Sequence, residues 1–206
     1  MKNYLVRNSL ILLLLFSLPL FGKTIENQAC FDNLYPKQIS IQYRASIDVM
    51  SKHLSGILLM KTLQDSTIGV TFINEMGVTY FEIIFYADSY HFNSIQDKMN
   101  KKAVKKTLAK DIGMILMRGI FKSCPDYSEE LTNRIMTLKL KSKGYVKYTT
   151  DQTCQPPSLI QNFGKRKAVV SIYQFYKAEN SMPDSIFVQH HTSPFSISLK
   201  QMYVTE

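Results

Sequence analysis

The side chains that could do chemistry are few and scattered along this sequence. Its four histidines are His53, His91, His190 and His191. A catalytic zinc site is usually written as HExxH, with two histidines on one helix face beside a carboxylate, and the sequence has no such pattern. His190 and His191 are adjacent on a predicted strand, so their rings point to opposite faces, and satisfied or surface histidines are favoured over one chelating pocket that takes both. We therefore predict no metal site.

The other reactive groups do not form a catalytic motif either. The sequence contains no GxSxG elbow and no glycine-rich phosphate loop. Cys124 precedes Pro125 and has no histidine near it in the sequence, so a cysteine nucleophile is not supported. Asp88, Asp97 and Asp111 fall on predicted turns or on a lysine-rich helix, where ion pairing or the helix dipole explains them. We predict a protein that is not an enzyme and needs no cofactor; a hydrolase with a dispersed site is the weaker alternative.

The first 22 residues have the pattern of a signal peptide. Lys2 and Arg7 precede an apolar run over residues 10–18, which Pro19 ends, and Gly22 offers a small residue for cleavage. We expect cleavage after Gly22 and export from the cytoplasm, with an uncleaved N-terminal anchor as the alternative. No second long apolar run follows, so a protein with many membrane spans is excluded.

Export would place the three cysteines in an oxidising compartment. Cys124 and Cys154 can pair, which leaves Cys30 near the mature N-terminus. A free cysteine after a signal peptide suggests lipidation, but polar residues separate Cys30 from the apolar run. We favour a mature N-terminus without lipid and keep lipidation at Cys30 as the alternative. Residues 23–38 are polar and form a lead-in to one domain at 39–206.

Alternation of apolar and polar residues over 39–49 predicts a long strand with one solvent-facing side. Four more predicted strands follow after short turns, and Gly56 marks a bulge in the first of them. Short turns join antiparallel neighbours, so the first half should be a five-stranded meander. The further predicted strands are 53–61, 67–73, 78–86 and 90–95.

The periodicity becomes helical at residues 101–117, after Asn100 as N-cap. Val104, Leu108, Ile112 and Ile115 form an apolar stripe. Much of the remaining surface is basic, through Lys101, Lys102, Lys105, Lys106 and Lys110. We interpret this segment as an amphipathic helix packed on the sheet with solvated lysines. The alternative is a basic face that contacts anionic lipid headgroups.

Strands return in the second half of the sequence. They are predicted at 134–140, 145–148, 168–177, 185–190 and 195–199, with a loop beginning at 155–157. About ten strands and one inserted helix predict a mainly β (α+β) fold. We expect a curled antiparallel sheet or open barrel, which the helix covers or plugs.

The chain is basic, with 25 Lys and Arg against 16 Asp and Glu. Nucleic acid is one partner that such a charge suggests. However, the only dense basic tract, at 98–110, has no accompanying aromatic motif, and an exported protein rarely meets nucleic acid. We therefore do not expect a nucleic-acid partner.

Residues 43–116 and the tail resemble a known family. The segments are YRASIDV, HLSGILLMK, STIGVTFINEMGVTYFEIIF, the lysine-rich helix and PDSIFVQHHTSPFSISL. They resemble the bacterial lipoprotein-localisation factors, the Lol-type periplasmic carriers and outer-membrane receptors. The resemblance implies an unclosed antiparallel half-barrel whose helices cover a cavity for lipoprotein acyl chains. It implies a monomeric, non-enzymatic carrier or receptor in the periplasm or on the periplasmic face of the outer membrane.

Apolar residues on the faces of the predicted strands and helix are candidates to line such a cavity. Acyl chains in water cost about 0.8 kcal/mol per exposed CH₂, so a carrier needs an apolar interior that its own side chains leave unfilled. The alternative is an ordinary filled core, in an exported module of the same fold that binds a protein partner. The candidates are Leu58, Ile68, Val70, Phe72, Phe81, Ile83, Phe85, Leu108 and Ile112.

Met76 is matched to the family motif by position. It precedes Gly77 between two apolar strands, as does the aliphatic loop residue of the receptor branch. That resemblance implies that Met76 protrudes and helps to hand acyl chains to the membrane; the alternative is a methionine packed on its own hairpin. The chain combines features of both branches. It has the protruding residue, which the soluble carrier lacks, but Cys30 fits poorly with the lipidation that the receptor carries.

Overall fold

The computed structural model of the protein describes residues 39–202, apart from short gaps at 50–51, 123–124, 131, 154 and 178–181. The predicted signal peptide at 1–22 and the lead-in at 23–38 lie outside the described residues. The same holds for Cys30, Cys124 and Cys154, so the lipidation and the disulfide remain predictions.

The described part of the chain contains twelve strands and one helix. The helix, α1, spans Lys102–Leu116 and lies between the fifth and sixth strands. The strands are β1 Ser40–Val49, β2 Lys52–Thr62, β3 Ile68–Ile73, β4 Thr79–Phe85, β5 Tyr90–Ile95, β6 Asp126–Glu129, β7 Asn133–Lys139, β8 Tyr145–Asp151, β9 Leu159–Phe163, β10 Ala168–Phe175, β11 Ser185–His190 and β12 Phe195–Gln201.

All twelve strands belong to one antiparallel sheet. Its order is β5-β4-β3-β2-β1-β12-β11-β10-β9-β8-β7-β6. Two meanders, β1–β5 and β6–β12, are joined where β1 pairs with β12, with Ile47 opposite Ile197. The edge strands β5 and β6 do not pair with each other, so the sheet is unclosed.

The sheet curls around α1, which contacts strands from distant places in the sheet order. On β5, Phe92 lies under a lysine of α1. On β8, the Tyr148 hydroxyl donates a hydrogen bond to the Met114 carbonyl oxygen at 2.7 Å. On β11, His190 is bonded to Asp111 of α1. A flat sheet could not bring these strands to one helix, so the prediction of a curled, unclosed sheet with one inserted helix is confirmed.

The core lies between α1 and the inner face of the sheet, which we define as the face that packs on the helix. On β1 the odd-numbered side chains Tyr43, Ala45 and Ile47 are buried, while most even-numbered ones face solvent. The register continues this layer, because Tyr43 lies opposite Leu58 and Leu58 lies opposite Phe72. The alternation that predicted β1 therefore follows from burial of one face only.

Two strands, β6 and β9, were not predicted from the sequence. β6 has four residues, DYSE, without an apolar alternation, and forms only as the edge partner of β7. β9 begins two residues after Pro157 in a segment that the sequence indicated as a loop. It is held by pairing on both sides, with Ile160 opposite Tyr148 of β8 and Ile172 of β10. Tertiary pairing rather than local propensity creates both strands.

The helix begins one residue later than predicted. Lys101, not Asn100, is the N-cap, and it makes no side-chain capping bond. Asn100 instead belongs to the preceding turn, in which its N–H donates to the carbonyl oxygen of Asp97. At the other end, Met117 adopts a left-handed conformation with φ 54°, and the N–H of Arg118 donates to the Gly113 carbonyl oxygen. This closes the last turn as helix C-caps commonly do.

Gly56 is a site of close backbone approach and not a bulge, because the register of β1 and β2 runs through it without a shift. A Cβ placed on Gly56 would lie 1.9 Å from the carbonyl oxygen of Ile73, at the end of β3. Only glycine lets the two backbones come this near.

We predict that Gly56→Ala destabilises the protein by about 1–3 kcal/mol, because a backbone atom must move to admit the methyl group. Gly69→Ala on neighbouring β3 is the matched control, since its Cβ would meet side-chain atoms no nearer than 3.6 Å. Urea unfolding of both variants measures the difference. Equal midpoints for the two variants would contradict the prediction.

Candidate functional site

The nine residues predicted to line a cavity lie together in the interior. All are at most 2% exposed, and they come from β2, β3, β4 and α1. Pairing places Val70 opposite Ile83 and Ile68 opposite Phe85, so the strand residues form one continuous apolar layer under the helix. None of them lines any of four pockets identified among the described residues. They belong to the buried core, and their role as the lining of an acyl-chain cavity remains a prediction.

The C-terminal half of α1 is held to the sheet by buried polar contacts. Tyr148 donates to the Met114 carbonyl oxygen, and both residues are fully buried. The Lys110 Nζ donates to Asn162 Oδ1 of β9 at 2.9 Å. Burial lowers the pKa of Lys110, and Lys106 acts in the same direction while Asp111 opposes both. Lys110, predicted as one of the solvated lysines, is therefore partly buried.

Asp111 is a buried carboxylate in the centre of the half-barrel. Its Oδ2 lies 2.7 Å from His190 Nε2, while its Oδ1 has no hydrogen-bond partner among the described residues. Burial raises the pKa of Asp111, and the hydrogen bond with His190 acts against this. His191 turns the other way and bonds to Ser171 Oγ at 2.9 Å. The two histidines thus have separate hydrogen-bond partners.

A pocket with an apolar floor opens beside the first turn of α1. We call it the mouth pocket; its volume is about 250 Å³. It lies at the end of the β1–β5 meander where β1 ends and β2 and β4 begin. The floor contains core side chains, and the rim is basic. The lining residues are Val49, Lys52, Leu54, Tyr80, Gln96, Lys98, Met99, Lys101 and Val104.

The lysines predicted to contact anionic headgroups differ in their surroundings. Lys101 lines the mouth pocket, and Lys102 and Lys106 are exposed. Lys105 lies over the Phe92 ring, 5.7 Å from its centroid, within range of a cation–π contact. The first turn of α1 contains no acidic residue. The N-terminal end of the helix is therefore uniformly positive, and a membrane contact remains a prediction.

Met76 lies at the tip of the β3–β4 hairpin and is 87% exposed. The turn beneath it is well ordered by hydrogen bonds, because Asn74 Oδ1 accepts from the backbone N–H groups of Met76 and Val78. Gly77 takes φ 81°, which a side chain would disfavour. Val78 is 49% exposed beside it. Met76 is therefore exposed in the structure and not packed on its hairpin, and its contact with a membrane remains a prediction.

The hairpin tip and the mouth pocket lie at the same end of the sheet. Tyr80 of the pocket is two residues after Val78, and the Gln96 side chain donates to the Thr79 carbonyl oxygen at 3.1 Å. Met76 and Val78 therefore lie at the same end of the sheet as the mouth pocket, although neither lines it. An exposed apolar tip and lysines around an apolar pocket can approach an anionic lipid surface together.

Local sequence signals missed most of the mouth pocket. Lys52, Tyr80, Lys98 and Met99 were not predicted as site residues, because they come from three separate places in the chain: the start of β2, the start of β4 and the turn before α1. Lys98 and Lys101 flank Met99 just before the helix, and a basic–apolar–basic pattern at a helix entrance is the one local signal available. Only the sheet register brings Lys52 to them.

Within the described residues, no group of three or more His, Cys, Asp or Glu could hold a metal ion. Over the same part of the chain, no helix is long and apolar enough to cross a membrane.

The architecture is an unclosed antiparallel half-barrel wrapped around one helix, and solved structures share it. A LolA superfamily protein from Nitrosomonas europaea matches with a TM-score of 0.51 at 9% identity, covering 85% of this chain and 91% of that one. A DUF1329 family protein from Desulfovibrio piger matches with a TM-score of 0.50 at 8% identity, covering 86% and 89%. A structure named for outer-membrane lipoprotein sorting, from Vibrio parahaemolyticus, has a TM-score of 0.47 at 6% identity, covering 85% and 89%.

The chain therefore has the LolA-like fold, and the resemblance seen in its sequence is confirmed at the level of the fold. No protein-family model and no curated protein matches the sequence.

The buried carboxylate predicts a pH effect on stability. The pKa of Asp111 is higher in the folded protein than its value of about 3.9 in the unfolded chain. The stability that this difference contributes is therefore fully present below the unfolded-state pKa and is lost as the pH rises through the folded-state pKa. Asn mimics the protonated form, so the stability of Asp111→Asn relative to the wild type should increase from about pH 3.5 to about pH 7. Urea unfolding at both pH values measures this. Asp97→Asn, at an exposed aspartate, should show a smaller change, and equal changes in the two variants would contradict the prediction.

Proposed function

We propose that the protein binds acyl chains of lipids or lipoproteins and carries or inserts them at the bacterial outer membrane, without catalysing a reaction. One observation carries the proposal: an apolar pocket with a basic rim and an exposed methionine lie at the same end of a LolA-like half-barrel. The LolA superfamily relation of one solved neighbour supports the same reading.

The mouth pocket is the entrance in this proposal. Val49, Met99 and Val104 of its floor belong to the buried core, so a chain that enters there meets the apolar layer directly. Each CH₂ group moved from water to such surroundings gains about 0.8 kcal/mol. The pocket itself is small, near the lower limit of about 300 Å³ for small-molecule sites. A long acyl chain therefore requires displacement of α1 from the inner face.

The contacts of α1 support displacement from its N-terminal end. Asp111, Met114 and Lys110 hold the C-terminal half, while Lys101 at the N-terminus makes no capping bond. Opening beside the mouth pocket would expose Leu108 and the β3 and β4 residues beneath it. The nine predicted cavity residues would then line the acyl-chain site.

The proposed location follows from the predicted signal peptide. The protein would act as a monomer in the periplasm, or on the periplasmic face of the outer membrane if Cys30 is lipidated. In either place Met76 and the lysines of α1 would face the membrane.

The first test is native mass spectrometry of the protein recovered from a bacterial periplasm without detergent. We expect a co-purified mass that extracts into organic solvent as a lipid, together with uptake of a fluorescent fatty acid. An apo mass with no uptake would contradict the proposal and favour a filled module that binds a protein partner.

Leu54→Glu should weaken fatty-acid uptake by roughly tenfold or more, because a carboxylate on the pocket wall must be desolvated when the chain enters. Leu54 is partly exposed, so the fold should tolerate the change. Leu63→Glu is the matched control, since Leu63 is 40% exposed and lies outside the mouth pocket. Fluorescence titration measures both variants, and equal affinities would remove the mouth pocket from the proposal.

Met76→Glu should slow transfer of bound lipid to liposomes by roughly 10- to 100-fold, because burying a methionine is worth about 1.5–3 kcal/mol. Folding and lipid uptake should be unchanged, since Met76 contributes nothing to the core. Met76→Leu should retain transfer. Transfer at the wild-type rate by Met76→Glu would exclude Met76 from the mechanism.

A further inference from the structure

The rim of the mouth pocket is charged with one sign only. Lys52 from β2 and Lys98 and Lys101 from the segment before α1 all line it. No carboxylate is among its lining residues. Asp97 is adjacent to Lys98 in sequence, but it is exposed and does not line the pocket.

None of the three lysines has an ion-pair partner in the described part of the chain, and Asp48, which lines a neighbouring groove together with Lys52, pairs with His53. The ion pairs found there involve Lys141 with Asp88 and Lys177 with Asp184, and two histidines with their aspartates. Three like charges at one opening repel one another, and this repulsion is largest next to the low-dielectric floor. An anion placed between them would remove it.

The opening combines this charge with an apolar interior. Leu54 and Val104 line the same pocket as the lysines, so a bound molecule would contact apolar side chains and ammonium groups together. Of the other polar lining residues, Gln96 already donates its side-chain N–H to the Thr79 carbonyl oxygen, and Tyr80 carries a hydroxyl group. The lysines are the cationic groups that can recognise an anionic head.

We propose that the mouth pocket selects single-chain amphiphiles with an anionic head, the carboxylate or phosphate lying between Lys52, Lys98 and Lys101 and the chain lying on the apolar floor. This rests on the proposed function, since it names the ligand class of the same site. The volume of about 250 Å³ is small for a ligand site, which favours one chain over two at the entrance. A cationic head would be rejected by the same three charges.

The test compares four ligands of equal chain length and different heads: decanoate, decyl phosphate, decanol and decyltrimethylammonium. Isothermal titration with the periplasmic protein should show both anionic ligands binding roughly tenfold more tightly than decanol, with the cationic ligand weakest. The preference should fall at about 1 M salt, where the screening length is about 3 Å. Comparing decanoate with decyl phosphate shows which anionic head fits better.

The triple variant Lys52→Gln, Lys98→Gln, Lys101→Gln should lose the anion preference, so that decanoate and decyl phosphate bind it no more tightly than decanol does. Its matched control is Lys165→Gln, Lys167→Gln, Lys200→Gln, which removes the same charge at exposed positions outside the pocket. The control should keep the preference. If it loses the preference equally, net charge and not the pocket rim is responsible, and the inference is wrong.

The outcomes separate this inference from the proposed function. Equal affinity for all four ligands would overturn the head preference while leaving acyl-chain binding intact. Failure of all four ligands to bind would overturn the inference, and the lipid content found by native mass spectrometry would then decide the proposed function on its own.

Discussion

An antiparallel sheet that does not close must cover its apolar concave face with something else. Here β5 and β6 remain unpaired edges, and the chain between them forms α1, which fills the space that they leave. Burial of that face stabilises the fold by roughly 25 cal/mol for each Å² of apolar surface removed from water. The curl of the sheet, the position of the helix and the location of any opening all follow from this constraint.

Covering the face with a helix buries backbone and charged groups of that helix in the interior. One of these groups, the Met114 carbonyl oxygen, accepts a hydrogen bond from the buried Tyr148 hydroxyl. The hydrogen bonding of Asp111 is less complete, because His190 bonds to Oδ2 while Oδ1 has no hydrogen-bond partner among the described residues. A half-satisfied buried carboxylate costs stability, whereas leucine at this position would bury apolar surface. The hydrogen bond between Asp111 and His190 therefore fixes the position of α1 on the sheet, at some cost in the stability that apolar packing would give.

The sequence predicts well those elements whose own residues show the burial pattern. β5 and β11 have the predicted bounds, and β1 differs by one residue, because alternation along each strand reflects one buried face. β9 shows no such local signal and depends on its neighbours on both sides. The candidate site likewise contains residues that a local sequence pattern indicates and residues that only strand pairing brings together. Met76 is recognisable from its place before Gly77, whereas Lys52 joins the mouth pocket only through the register of β1 and β2.

The two ends of α1 differ in a way that bears on function. Polar contacts to β8, β9 and β11 hold the C-terminal half, and they would all have to break for that half to leave the sheet. The N-terminal half is held by apolar contacts, and an acyl chain can replace those without leaving a polar group unpaired. The carrier role proposed above requires the protein to exchange its own apolar contacts for those of its ligand at small net cost. Along α1, the lysine-rich N-terminal half meets that condition better than the C-terminal half, and the mouth pocket opens beside it.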